Sequence, residues 1–166
     1  HSPVQRGFFY SHVGWIFDNT DATDYAKIKD FAKYPELVFL NKFWWIPPTL
    51  LGFGVWLALG WSGLLIGFSL STVLLWHGTF TINSFTHIVG KRVYPTTDAS
   101  KNSMFFALIT MGEGWHNNHH YYQASTRQGF HWWQIDMTYY ILKMLSWVGL
   151  VWDLREPAAE VIACWV

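Results

Sequence analysis

His116, His119 and His120 stand in Gly114-Trp115-His116-Asn117-Asn118-His119-His120, so three of the chain's eight histidines fall within five residues. At i, i+3 and i+4 on a helix they share one face. Imidazole nitrogens are the commonest metal ligands near neutral pH. No cysteine accompanies them, which disfavours a closed Cys-rich zinc site. A nitrogen and oxygen site with open positions suits iron, manganese or catalytic zinc instead. The competing reading is a surface histidine cluster with no role. A second group, Asn83-Ser84-Phe85-Thr86-His87, weighs against that. Asn83 and His87 are four apart, so one helical face would present both, and an asparagine can ligate through its carbonyl or hold a metal-bound water. The pair means little by itself and gains weight from its place beside a membrane.

The membrane reading comes from composition and charge. Of 166 residues 51% are hydrophobic and only 13% charged, with twelve Trp, well short of the charge of an ordinary soluble domain. Residues 43–59 and 64–82 contain no Asp, Glu, Lys or Arg, and each is about long enough for a hydrocarbon core of roughly 30 Å. Gly60-Trp61-Ser62-Gly63 makes a tight turn between them. Lys27, Lys29, Lys33 and Lys42 precede the first span; Lys91, Arg92 and Lys101 follow the second. The positive-inside rule places both outer flanks in the cytoplasm. The expected fold is therefore all-α: an integral membrane protein with two transmembrane helices in a hairpin and a cytoplasmic helical cap bearing the histidines. Residues 1–42 form a cytoplasmic segment and 83–166 the histidine-box region. A buried hairpin in a large soluble core is the alternative. His77, Thr79, Thr81 and Asn83 give the end of the second span a polar face leading to His87, and polar groups at that depth usually face a cavity.

The remaining segments position this site. The spacing predicts a helix over 102–111 leading into the histidines, and loops at 94–100 and 124–129. Residues 132–152 read as a long amphipathic helix lying in the interface plane, with His131 at its start in an interfacial or capping role. Pro47 and Pro48 fall in the first turns of the first span, where proline is tolerated. Zero net charge and the lack of a basic block give nucleic-acid binding no support. The single Cys164 excludes an internal disulfide. The start, His1-Ser2-Pro3, is neither a signal peptide nor an initiator terminus, and the chain reads as a piece of a longer protein.

The site so described resembles the membrane fatty acyl desaturases, in particular their stearoyl-CoA branch. The matching stretches are Arg6-Gly7-Phe8-Phe9-Tyr10-Ser11-His12-Val13-Gly14-Trp15, Asn83-Ser84-Phe85-Thr86-His87 and Gly112-Glu113-Gly114-Trp115-His116-Asn117-Asn118-His119-His120. The last is similar to that family's third histidine box. The resemblance implies a centre of two irons held by nine histidines and a water-bridged asparagine. It would assign His87, His116, His119 and His120 as ligands and Asn83 as the asparagine. The first two boxes are not in this chain, so five ligands are missing and the piece alone is expected to be inactive. His12 is expected to be structural. His1 and Arg6 match a stretch implying contact with the substrate head group, and Trp76 and Thr79 match positions near an apolar acyl tunnel. The implied reaction takes a saturated fatty acyl-CoA and O2 and leaves a cis double bond, at position nine by the branch's regiochemistry. Electrons would come from cytochrome b5 or ferredoxin with a reductase. A related di-iron hydroxylase or alkane monooxygenase, a haem membrane subunit, and a purely structural hairpin are the competing readings.

Overall fold

A computed structural model describes residues 3–18 and 23–164. In chain order its α-helices are α1 (Pro3–Arg6), α2 (Phe8–His12), α3 (Lys29–Ala32), α4 (Pro35–Lys42), α5 (Ile46–Ser62), α6 (Ser71–Ser84), α7 (Met104–Ile109), α8 (His116–Tyr121), α9 (Met137–Trp147) and α10 (Ala159–Ala163). The described residues hold no β-strand, only isolated bridges pairing Lys91 with Asn102 and Asn102 with Trp115. Two compact units result: Ile16–Trp76, and His1–Trp15 together with His77–Val166.

In the first unit, α4 starts on Pro35, whose fixed φ suits a first turn, and carries Glu36 in that turn and Lys42 in its last, charges suited to the two ends of a helix dipole. Helix α5 begins with Pro47 and Pro48 in its first turn, where a missing N–H leaves no partner unsatisfied. Its regular geometry breaks at Gly60, whose φ of 65° and ψ of −158° suit glycine alone. A π-helical stretch, Gly63–Leu70, follows. On a straight helix Gly52 and Phe68 would lie about 24 Å apart. A Cβ on Gly52 would instead meet the Phe68 ring at 3.0 Å, so the run is not one straight rod. Among the described residues, one run, Ile46–His87, is long and apolar enough to cross a membrane.

The second unit has a small apolar core and a large polar one. Val93, Tyr94 and Phe130 are buried, with Tyr121, Tyr122, Val161 and Ile162 packed against them. Around them lie buried Ser84, Thr86, Asn102, Asn117, Asn118, Gln134 and Asp136. Helix α7 is capped by Ser103, whose hydroxyl accepts from the Phe106 amide, and it covers less than the expected 102–111. The expected helix over 132–152 is also shorter. Asp136 caps α9 by accepting from the Tyr139 amide at 3.0 Å, so His131 and the Trp pair precede the helix. The far end is a Schellman motif: Leu150 N bonds Leu145 O, Gly149 N bonds Ser146 O, and Gly149 takes φ 74°.

Candidate metal centre

Three histidines from two segments meet. His87 ends a 3₁₀ turn, Phe85–His87, that follows α6, while His116 and His120 stand one turn apart on α8. One ligand atom of each lies within 4.8 Å of the others. The Nε2 atoms of His87 and His116 are 3.1 Å apart. Two nitrogens on one edge of an octahedral site would be separated by about 3.0 Å, taking a metal–nitrogen distance of about 2.1 Å. The His120 ring lies 4.3 Å from that of His116 and 5.6 Å from that of His87, centre to centre.

The electrostatics favour ligation. Burial, then the neighbouring His120, His87 and His119, push the His116 pKa down to about 3. Burial and His120 lower His87, against an opposing pull from Asp98. His119 is also lowered, by burial first and then His120. All three are therefore neutral near pH 7, the form that offers a lone pair to a cation. The Nδ1 atoms of His87 and His116 are buried with no hydrogen-bond partner among the described residues. Buried polar atoms are normally paired. Converging neutral nitrogens with incomplete bonding fit a metal of nitrogen preference, as two irons would be.

Helix α8 is too short to hold this geometry alone, and side chains from elsewhere fix it. Asn102 Oδ1 accepts from the amides of Asn117 (2.9 Å) and Asn118 (3.2 Å), capping α8 from outside its own segment. The Asn117 side chain accepts from the Val93 and Tyr94 amides at 2.8 and 2.7 Å and donates to Tyr94 O. Asn118 donates to Gln128 O and Gln134 Oε1 at 2.8 and 2.9 Å. The two asparagines between the histidines thus bolt the helix inward, leaving the histidine face to the site. Gly114 permits the approach: a Cβ there would lie 2.0 Å from Ala107 N.

The other expected residues are placed as follows. His119 flanks the trio, its ring 6.1 Å from His116 and 5.7 Å from His120. Asn83 is exposed while His87 is buried, because the α-helix ends at Ser84 and the 3₁₀ turn that follows breaks the common face. Thr79 and Trp76 are exposed on α6. The Arg6 guanidinium donates to Tyr10 OH at 2.6 Å. His1 lies outside the described residues. His12 bonds Ser84 Oγ at 2.9 Å and His77 Nδ1 at 3.0 Å, away from the trio. His131 stacks on Trp133 and stays out of the cluster.

One neighbour went unnoticed in the sequence. Asp98 Oδ2 lies 2.6 Å from His120 Nδ1. Burial opposes its ionisation, but the Ser100 hydroxyl and amide and His120 hold its pKa at about 2. An acid two residues before Ser100 signals a local turn. Nothing in the sequence connects it with a histidine 22 positions on.

Comparison with known proteins gives the family. The fatty acid desaturase family model matches residues 2–150, and the chain belongs to that family. It is 36% identical over 162 residues to a chloroplastic palmitoyl-monogalactosyldiacylglycerol delta-7 desaturase of Arabidopsis thaliana, covering 95% of this chain and 43% of that protein. It is 35% identical over 162 residues to acyl-CoA 5-desaturase AL21 of Anemone leveillei, covering 95% and 50%. An sn-1 stearoyl-lipid 9-desaturase of Anabaena variabilis is 36% identical over 152 residues, 90% of this chain and 56% of that protein. The chain spans about half the length of these relatives.

Proposed function

We propose that this chain forms the C-terminal part of a single desaturase domain in a membrane oxidoreductase that introduces a cis double bond into a saturated fatty acyl chain, with O2 as oxidant. The observation that carries this reading is the meeting of His87 and His116 at 3.1 Å with His120 beside them, in a chain of this family. Two irons, when bound, supply the activation of dioxygen and the removal of hydrogen from carbon. His87, His116, His119 and His120 contribute four ligands, and Asn83 the water-bridged position. Burial keeps the His87, His116 and His119 nitrogens unprotonated, and the Asn102–Asn117–Asn118 bolts hold the spacing of the box. Stacked Phe85 and Phe106, 5.5 Å apart, exclude water from one side of the His87 turn.

Within the run Ile46–His87, the part up to residue 82 is read as two crossings reversed at Gly60, with Asn83, His87 and the other histidines beyond it on the Lys- and Arg-rich cytoplasmic side. As a straight helix the run's 42 residues would measure about 63 Å, twice a hydrocarbon core. Leu50, Leu51, Leu57 and Leu59 are all more than 60% exposed, a surface that suits lipid rather than water. Trp76 and Thr79 are assigned to the acyl path, and Arg6 with His1 to the head group. Among relatives named for acyl-CoA and for lipid substrates, acyl-CoA with attack at position nine is the reading adopted here. Cytochrome b5 or ferredoxin with a reductase would supply electrons.

The test is expression of the full-length protein in a desaturase-deficient host, with fatty acids analysed by gas chromatography and mass spectrometry. A position-nine alkene is expected, with more than 90% of it lost in His87→Ala, His116→Ala and His119→Ala. An alcohol product would assign a hydroxylase instead. Activity above half in His116→Ala would refute the ligand set.

A further inference from the structure

We propose that Asp98 is a positioning residue for the metal centre: its carboxylate fixes the tautomer and orientation of His120, making that histidine the most firmly held and most electron-donating ligand of the trio. This rests on the metal reading above. The argument begins with hydrogen-bond direction. An ionised carboxylate only accepts, so at 2.6 Å from Asp98 Oδ2 the His120 Nδ1 carries the proton. Nε2 is then the ring's one lone pair and the atom left for a cation. A histidine whose outer N–H is held by a carboxylate is oriented and made more basic, an arrangement common around bound metals.

Asp98 is itself held. Its Oδ1 accepts from the Ser100 amide at 2.7 Å and lies 3.4 Å from Thr96 Oγ1. Thr96 Oγ1 and Ser100 Oγ each accept a hydrogen bond from Asn117 Nδ2, at 3.2 and 3.4 Å. Asn117 stands three residues before His120 on the same helix. The loop bearing the carboxylate is therefore tied to the helix bearing the histidine, and the two move together. His87 and His116 have no such partner at Nδ1 among the described residues, which sets His120 apart. A surface ion pair would not need two fixed carboxylate oxygens and a second tie through Asn117.

The test measures metal affinity. Full-length protein is stripped, loaded with Co2+ as a spectroscopic probe, and titrated against a chelator series. Asp98→Asn cannot satisfy both His120 Nδ1–H and the Ser100 amide, since its NH2 would face one of the two donors. It should weaken Co2+ binding about 10–100-fold and shift the visible d–d bands. The same substitution on a His120→Ala background should change affinity less than twofold, because Asp98 acts through His120. A change under twofold in the single variant overturns the proposal, and so does an equal loss on both backgrounds, which marks a purely structural effect. Wild-type protein that binds no metal through His87 and His116 sinks the metal reading and this inference with it. Normal wild-type binding with an unaffected Asp98→Asn sinks the inference alone.

Discussion

Removing the Asn117 side chain gives the sharpest test of how the histidine helix is held. Its Oδ1 is the acceptor for the Val93 and Tyr94 amides, at 2.8 and 2.7 Å, and the residue is fully buried. Asn117→Ala leaves both N–H groups without an acceptor where water does not reach. Each orphaned donor costs about 1–3 kcal/mol, so the pair costs about 2–6 kcal/mol. The Nδ2 bonds to Tyr94 O, Thr96 Oγ1 and Ser100 Oγ are lost as well. Asn117→Asp is the informative partner. A carboxylate still accepts from both amides, and the two hydroxyls can turn to donate to it. Tyr94 O, 3.2 Å from the lost NH2, would face it with repulsion, the charge itself would be fully buried, and the hydroxyls would turn away from Asp98. The aspartate variant should therefore lose less than alanine, because both amides keep their acceptor. At roughly 1–2 °C per kcal/mol for a protein about twice this length, a loss of about 4 kcal/mol lowers Tm by about 4–8 °C. Thermal unfolding of the full-length protein in nanodiscs, followed by circular dichroism, reads both variants. An alanine variant within 2 °C of wild type, or an aspartate variant worse than alanine, refutes the reasoning.

Gly114→Ala drives a methyl group onto Ala107 N and Phe106 C, backbone atoms that cannot yield, and should cost about 3 kcal/mol or more, while Gly67→Ala, with nothing within 4 Å of its Cβ, should be neutral or slightly stabilising; equal thermal shifts would contradict this. Acid should destabilise the metal-free protein. The folded-state pKa of His116 is depressed to about 3 from 6.5, so the unfolded chain takes up a proton that the folded one refuses. That stability is present above pH 6.5 and is lost at about 1.4 kcal/mol per unit as pH falls toward 3. His116→Gln should flatten the pH dependence of Tm between pH 6 and 4, and parallel slopes would count against it. For sidedness, single cysteines at Ser62 and at exposed Thr97, on a Cys164→Ser background, should be labelled from opposite faces of the membrane; labelling of both from one face would refute the two crossings.

The candidate ligands are plain in the sequence because histidine is uncommon and its spacing is local. His116 and His120 sit together through i, i+4 geometry, which needs no tertiary knowledge. Their meeting with His87, 29 positions upstream, followed from the polar face and the family resemblance rather than from spacing. Asn83 was paired with His87 on an unbroken helix, and a 3₁₀ turn intervened. Trp132 and Ile135 continue the apolar period, so the pattern extends over 132–152, beyond the Met137–Trp147 that α9 covers. The cap at Asp136 and the Gly149 motif mark the true ends, and both were readable. Asp98 and Asn102 were out of reach, since each acts on α8 through a contact that only the folded chain makes. A polar side chain in a loop carries no sign of its distant partner.

Helix α8 has six residues and no side-chain cap of its own. Helices so short are unstable in isolation. A peptide bearing only His116 to Tyr121 would be a coil, and its histidines would not share a face. The donors that lock the box, at Val93 and Tyr94, and the acceptor at Asn102 leave the ribosome before it. Gln134 and Gln128 leave after it. The box is thus laid onto a surface already synthesised and then closed from behind. A cation that reached the nascent chain before Gln134 would meet histidines not yet in register, so any metal held by His87, His116 and His120 would load only after Gln134 has been added.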